Sequence, residues 1–207
     1  MEGIMENEEL FDGLTRQAWF DELETTRLDN RRHLYALWSL WGTPSSMLDV
    51  GCGNGDLVLR SRQLGIEAYG IDQLVNEDYY DHGWFVKHDL RQVFSLASSG
   101  KPSTVDLVLC WEVAEHLSQE YHEMLCNTCA MHLHRGNKAY LVFTAAHPGQ
   151  GGMGHIGEHP ATYWRDMFHD RGLNYMSDIS RNVALLWSNL GTSLWWLAAN
   201  VQVFERG

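Results

Sequence analysis

Residues 49–55 read DVGCGNG, directly after Met47 and Leu48 in a short apolar run. The glycines at 51, 53 and 55 place backbone freedom at alternate positions. A chain concentrates that freedom where it must turn tightly, or where a ligand must touch the main chain without meeting a Cβ. The amphipathic stretch Leu57–Leu64 follows, so the segment reads as strand, turn and helix. The same alternation continues downstream. Ala68–Ile71, Trp84–Lys87, Val105–Cys110 and Ala139–Thr144 read as strands, and a long helical stretch runs from about Ser118 to Leu133. Strands alternating with helices imply a mainly parallel sheet with right-handed crossovers and helices on both faces, which is a doubly wound α/β fold.

Toward the N-terminus, Phe11–Trp41 carries apolar residues at helical spacing, with Leu34, Leu37, Trp38 and Trp41 on one face. It reads as two helices, so that residues 1–43 form a helical extension and 44–207 the main domain. The first ten residues are charged and poor in anchors, and are expected to fray. Toward the C-terminus, Leu173–Ser177 and Leu194–Glu205 read as strands flanking an apolar helical stretch, Val183–Trp187. Such a late pair fits an antiparallel addition at one end of the sheet.

A chain of 207 residues suffices for one sizeable core. No window approaches the roughly 18 apolar residues of a membrane span, and the acidic start MEGIMENEEL is unsuited to a secretory signal. A soluble, cytoplasmic protein with no membrane partner is expected. Fifteen basic against 27 acidic side chains give a formal net charge of −12, and no Lys/Arg-rich run offsets it, so nucleic acid is a poor partner. Cys126 and Cys129 form a lone CxxC inside a helical pattern; without a second ligand pair it reads as structural. Nothing in the pattern specifies an oligomeric state.

In an open α/β sheet the ligand crevice lies at the carboxyl ends of the strands, where strand order reverses. A dinucleotide loop reads GxGxxG, with helix N–H groups facing a pyrophosphate. Here Asp56 stands where the last glycine would be, and a carboxylate there opposes a diphosphate and with it a nicotinamide-dependent oxidoreductase. An acid suits a cofactor that carries positive charge. The loop resembles the first motif of class I S-adenosylmethionine-dependent methyltransferases, matched by Asp49, Gly51, Gly53 and Gly55. That resemblance runs from about Met47 to the C-terminus. It implies S-adenosylmethionine as cofactor and a Rossmann-like, mainly parallel seven-stranded sheet with a C-terminal antiparallel strand.

Further motifs follow in the family's order. In YGIDQ, Asp72 ends the second strand and is implied to bind the ribose, with Gln73 beside it. In KHDL, Asp89 is implied to accept from the adenine amino group, with Leu90 near the ring. In VDLVLCWEVAEHL, Trp111 or Cys110 would line the methionine part, and Glu112, Glu115 and His116 would face the crevice. Cys52, inside the glycine loop, completes the implied cofactor set.

The stretch AAHPGQGGMGHIGEHPATYW, residues 145–164, is glycine-rich and holds His147, His155 and His159. A long, mobile loop after a strand is a candidate lid or substrate loop. HPGQGGMGH, the following Pro160–Trp164 segment and the terminal WWLAANVQVFER are similar to a branch of small methyltransferases of bacteria and viruses, a likeness that names no acceptor. If the acceptor must lose a proton, His147 or His155 is the expected base, with Glu115 or His116 orienting it or serving instead. Glu112, Glu115, His116, His147 and His155 are residue types that bind metals, but no HExxH or comparable spacing occurs, and no metal is expected. Trp38, Trp41, Trp111 or Trp164 could wall an apolar pocket. The expected function is methyl transfer to an oxygen or nitrogen of a small molecule. The alternatives are a non-catalytic cofactor-binding partner protein, and an acceptor linked to a sugar, peptide or RNA.

Overall fold

Between Arg16 and Trp41 no glycine or proline interrupts the chain, and this segment is one continuous helix, α1 (Arg16–Trp41). The two helices expected there are therefore a single one. It ends at Gly42, whose φ of 84° and N–H bond to the Trp38 carbonyl make the left-handed stop that glycine favours. The computed structural model describes residues 9–11, 14–74, 83–135 and 138–207. Before α1, β1 (Glu9–Phe11) and β2 (Leu14–Thr15) pair antiparallel. The expected fraying falls mainly on residues 1–8, outside the described residues.

After Pro44 the alternation unfolds as read: β3 (Ser46–Val50), α2 (Asp56–Gln63), β4 (Glu67–Asp72), β5 (Phe85–Lys87), β6 (Leu107–Trp111), α3 (His122–His132), β7 (Tyr140–Thr144), α4 (Ala161–His169), β8 (Leu173–Tyr175), α5 (Ser177–Ser188), α6 (Trp195–Asn200) and β9 (Gln202–Arg206). The seven-stranded sheet has the order β5-β4-β3-β6-β7-β9-β8. All its pairs are parallel except those of β9, which runs antiparallel to both β7 and β8. Strand order reverses between β3 and β6, and their carboxyl ends mark the crevice.

The tail differs from expectation in two elements, α4, whose start lies in a stretch read as loop, and α6. Leu194–Glu205 is not one strand, because its first half is α6. A run such as WWLAA is ambiguous between helix and strand by periodicity alone; it coils with Leu197 and Ala198 buried and Trp195 exposed, and the chain extends only from Val201.

Alternation along the strands builds the two cores. Leu48, Val108, Cys110, Leu141, Phe143 and Phe204 face one way, packed with Leu125 and Cys129 of α3 and Trp164 and Phe168 of α4. Met47, Leu107, Leu109, Val142 and Val203 face the other, packed with Leu34 and Leu37 of α1, Val58 of α2 and Val183 and Trp187 of α5. Thus α1 is part of the second core, and Trp38 and Trp41 pack there. Cys126 and Cys129 are buried free thiols of the first core. Among the described residues no helix is long and apolar enough to cross a membrane.

Candidate active site

The turn after β3 is held by its own neighbours. Gly51 (φ 78°) and Gly55 (φ 75°) adopt left-handed conformations that side chains resist. A Cβ at Gly51 would lie 2.4 Å from Val113 Cγ2, and one at Gly55 would lie 2.6 Å from Phe85 Cε1. At these two positions glycine is demanded by the protein's own packing as well as by any ligand. The Gly51 N–H bonds the Ile71 carbonyl at 2.8 Å. Asp72 ties the turn to β4, its Oδ2 accepting from Gly53 N–H at 2.9 Å and its Oδ1 from Leu74 N–H at 2.7 Å. Burial pushes the Asp72 carboxyl up in spite of these bonds. Asp49 is also buried, and desolvation together with the nearby Asp72 and Asp56 carboxylates pushes it up to about 7.

Asp56 plays a different part from the one its position suggested. Its two oxygens accept from Nε and Nη2 of Arg31 on α1. The carboxylate that distinguished this loop from a dinucleotide loop is neutralised from within, and it docks α1 onto α2. Asp89 is likewise engaged: Arg91 Nε lies 2.9 Å from each of its oxygens, Nη2 donates at 2.6 Å and the Arg91 N–H at 3.0 Å. This clamp holds Asp89 below the usual carboxylate range, and an adenine amino group would have to share it. Cys52 is buried beneath the turn, where burial pushes its thiol well up. Gln73, Leu90 and Trp111 line the cavity, whereas Cys110 points into the first core.

At the carboxyl end of β6, Glu112 has a φ of 52°, unusual for a residue with a side chain. Its N–H is fixed by the Thr144 carbonyl at 3.1 Å and Oγ1 at 3.0 Å, and Asn200 Nδ2 donates to its Oε1 at 3.3 Å. Glu115 follows on a short 3-10 turn, Ala114–His116, completely buried. Its Oε1 accepts from Ala146 N–H at 3.1 Å, while Oε2 has no donor among the described residues. The Glu112 carboxylate lies beside it, and a protonated Glu115 carboxyl would donate to it. Burial, then the Glu112 charge, pushes Glu115 well up. His116 donates from Nδ1 to the Gly154 carbonyl at 3.2 Å, and burial and the adjacent His155 push it down to about 4.

The 145–164 stretch, expected as a mobile lid or substrate loop, is pinned by hydrogen bonds as far as Glu158 and enters α4 at Ala161. Glu158 accepts from Gly149 N–H at 2.7 Å, Gly151 N–H at 2.9 Å and His155 Nδ1 at 3.1 Å. Although desolvation opposes it, these bonds hold Glu158 below its usual value. Ile156 and Gly157 N–H both bond the Glu115 carbonyl at 2.9 Å. A Cβ at Gly157 would sit 2.1 Å from the Leu117 carbonyl oxygen, so the loop lies flat on the turn after β6.

These elements enclose a cavity of about 730 Å³. Of the implied cofactor residues, Asp49, Gly51, Cys52, Gly53, Asp72, Gln73, Asp89, Leu90 and Trp111 line it. Of the four expected catalytic residues, His116 and His155 line it and Glu115 lies buried behind them. His147 is not among the lining residues; its N–H faces Gln150 Oε1 at 3.4 Å. Sequence reading missed Arg27 and Asn30 of α1, Gln150, and Trp195 and Trp196 of α6. The walls are tryptophans 111, 195 and 196, while Trp164 is core.

A family model described as "Methyltransferase domain" matches residues 16–178. No curated protein matches the sequence. Among solved structures, the fold is similar to a 1,6-didemethyltoxoflavin-N1-methyltransferase of Burkholderia thailandensis with bound S-adenosylhomocysteine (TM-score 0.58, 12% identity, 77% of this chain and 75% of that one). It is also similar to the magnesium protoporphyrin IX methyltransferase of Synechocystis (0.55, 16%, 90% and 85%) and to a SAM-dependent methyltransferase of Archaeoglobus fulgidus (0.55, 18%, 90% and 97%).

Proposed function

The chain belongs to the methyltransferase-domain family and is an S-adenosylmethionine-dependent methyltransferase; we propose that its acceptor is an oxygen or nitrogen atom of a small molecule. The site suits this cofactor on its own chemistry. Asp49 is buried and Asp72 half-buried at the glycine turn, and neither forms a salt bridge among the described residues; the Arg31 guanidinium is spent on Asp56. That negative cradle attracts a sulfonium or α-ammonium and repels a diphosphate. When bound, the cofactor supplies an electrophilic methyl group on sulfur.

The observation that carries the acceptor class is the cavity itself. Its volume, about 730 Å³, has to hold the cofactor as well as the acceptor, which leaves room for a small molecule, and beyond the implied cofactor residues its lining combines Trp195, Trp196, Met153 and Ile156 with Glu112, Gln150, His116 and His155. Apolar walls with a few convergent polar groups suit a small amphipathic molecule better than a polymer. The Burkholderia neighbour holds 1,6-didemethyltoxoflavin, a small molecule, which supports the same class.

The chain's part is to align, exclude water and handle a proton. Glu158 is held ionised, so His155 must donate to it from Nδ1, which leaves Nε2 as the atom able to accept the acceptor's proton. His147, off the cavity wall, is not proposed for this role. The test is formation of S-adenosylhomocysteine with a panel of small hydroxy, carboxy and amino compounds. Saturation by S-adenosylmethionine at about 100 times Kd stabilises by about 2.7 kcal/mol, and NAD is expected to give no thermal shift. Turnover only with RNA or peptide acceptors would overturn the small-molecule assignment.

Cofactor affinity is expected to depend on pH through Asp49. With its carboxyl at about 7, a bound cation has to displace a proton below that value, so S-adenosylmethionine should bind about tenfold more weakly at pH 6 than at pH 8. Stability moves the opposite way. A carboxyl raised on folding contributes stability that is full below its unfolded value and is lost as pH rises through about 7. Calorimetric titration at both pH values checks this, and Asp49→Asn should flatten the profile; a wild-type profile that is already flat refutes it.

A further inference from the structure

Glu115, His116 and His155 each offer one ligand atom, and the three atoms lie within 4.8 Å of one another. They come from the turn after β6 and the loop after β7, neighbouring strands in the sheet, which is why linear spacing gave no hint of them. Both imidazoles are set by a partner at Nδ1, the Gly154 carbonyl at 3.2 Å for His116 and the Glu158 carboxylate at 3.1 Å for His155. In both rings the partner sits at Nδ1, so Nε2 is the ring nitrogen on the side away from it. This is the way metal-binding histidines are oriented, with the second nitrogen donating to a carbonyl or carboxylate.

The third donor supplies an independent sign that the site suits a cation. Glu115 is completely buried, yet no donor among the described residues reaches Oε2, and a buried carboxylate oxygen left so is costly. The Glu112 carboxyl beside it can relieve this only with a shared proton. A metal ion would satisfy the orphan oxygen directly.

We infer that Glu115, His116 and His155 form a binding site for one divalent first-row transition ion at the acceptor end of the cavity. Two imidazoles and one carboxylate suit zinc or iron(II), and the imidazoles disfavour magnesium and calcium. Bonds of about 2.0–2.2 Å bring ligand atoms to roughly 3–3.5 Å apart, so ligation draws the three side chains inward by rotation. This departs from the expectation of no metal, which rested on spacing alone. The ion's role rests on the methyl-transfer reading, although its binding does not: with His155 Nε2 taken up as a ligand the ring would no longer serve as the base, and open coordination positions would orient an acceptor oxygen and ease loss of its proton instead.

The test uses the full chain, stripped with chelator and dialysed. Zn²⁺ is titrated by calorimetry and Co²⁺ by its visible absorption, with the S-adenosylmethionine thermal shift measured on the same samples. The expected result is one Zn²⁺ per chain. Glu158→Gln, which leaves all three ligands intact, should weaken it by about 10–100-fold; Glu115→Gln and His155→Gln should weaken it at least as much, and exposed His169→Gln should leave it unchanged. Retention of the S-adenosylmethionine shift shows that a variant is folded. A cofactor response without stoichiometric Zn²⁺ or Co²⁺ binding overturns the site while sparing the methyltransferase reading. Metal binding without a cofactor response does the reverse. Equal affinity in wild type and in Glu115→Gln, His155→Gln and Glu158→Gln places any bound ion elsewhere and also overturns the site.

Discussion

Gly51→Ala is expected to destabilise the protein by about 2–4 kcal/mol, combining left-handed strain with overpacking, and to remove cofactor binding with it. Gly51 sits at a φ of 78°, and the new Cβ would lie 2.4 and 2.9 Å from the two Cγ atoms of Val113. Val113 has little room to yield. The preceding Glu112 N–H is bonded twice to Thr144, and Val113 itself opens the 3-10 turn that carries Glu115 and His116. The strain would therefore be passed to the loop that bears Gly53 or to the acceptor-side acids, and either displacement spoils the cavity. Urea unfolding and calorimetry with S-adenosylhomocysteine measure both effects. The double variant Gly51→Ala/Val113→Ala should recover the steric part and leave the backbone part. A single variant with unchanged midpoint and affinity would show that the turn relaxes more freely than its hydrogen bonds suggest.

That argument also shows how far the sequence could be read. DVGCGNG announces a strand entering a glycine turn, and YGIDQ a second strand that ends at Asp72. Both are local patterns, set by period and by backbone freedom. What stayed hidden depends on contacts between distant segments. Asp56 looked like a cofactor's counter-charge until Arg31, a whole helix away in sequence, was seen to hold it. Asp89 looked free for adenine, although its partner Arg91 stands two residues on. His147 and His155 were equivalent by sequence, and only the folding of the loop around Glu158 puts one on the cavity wall and the other off it. WWLAA carried no period that separates helix from strand, and so its tryptophans were not recognised as cavity wall.

Among the carboxylate variants Asp72→Ala is expected to have the largest effect on ligand affinity, weakening S-adenosylhomocysteine by about 100- to 1,000-fold. Two roles would be lost together. The carboxylate receives the Gly53 and Leu74 N–H groups at 2.9 and 2.7 Å, and removing it leaves two backbone donors to find partners at about 1–3 kcal/mol each when buried. Its remaining lone pairs are those proposed for the ribose hydroxyls, and hydrogen bonds to a charged group contribute about 1.5–3 kcal/mol apiece. Asp72→Asn separates the roles only in part, because its amide must turn an N–H toward either Gly53 or Leu74. It should bind nearly as weakly as the alanine variant. Asp49→Asn, in contrast, removes charge without removing an anchor of the turn, and is expected to lose only the roughly tenfold that its ionisation supplies above neutral pH. The ordering Asp72→Ala, Asp72→Asn, then Asp49→Asn is thus a consequence of which carboxylate holds the loop and which only faces it. Calorimetric titration of the three variants with S-adenosylhomocysteine at pH 8 measures that ordering. An Asp72→Ala protein that binds within threefold of wild type would mean that the ribose is held by other groups, and that Asp72 serves the turn alone.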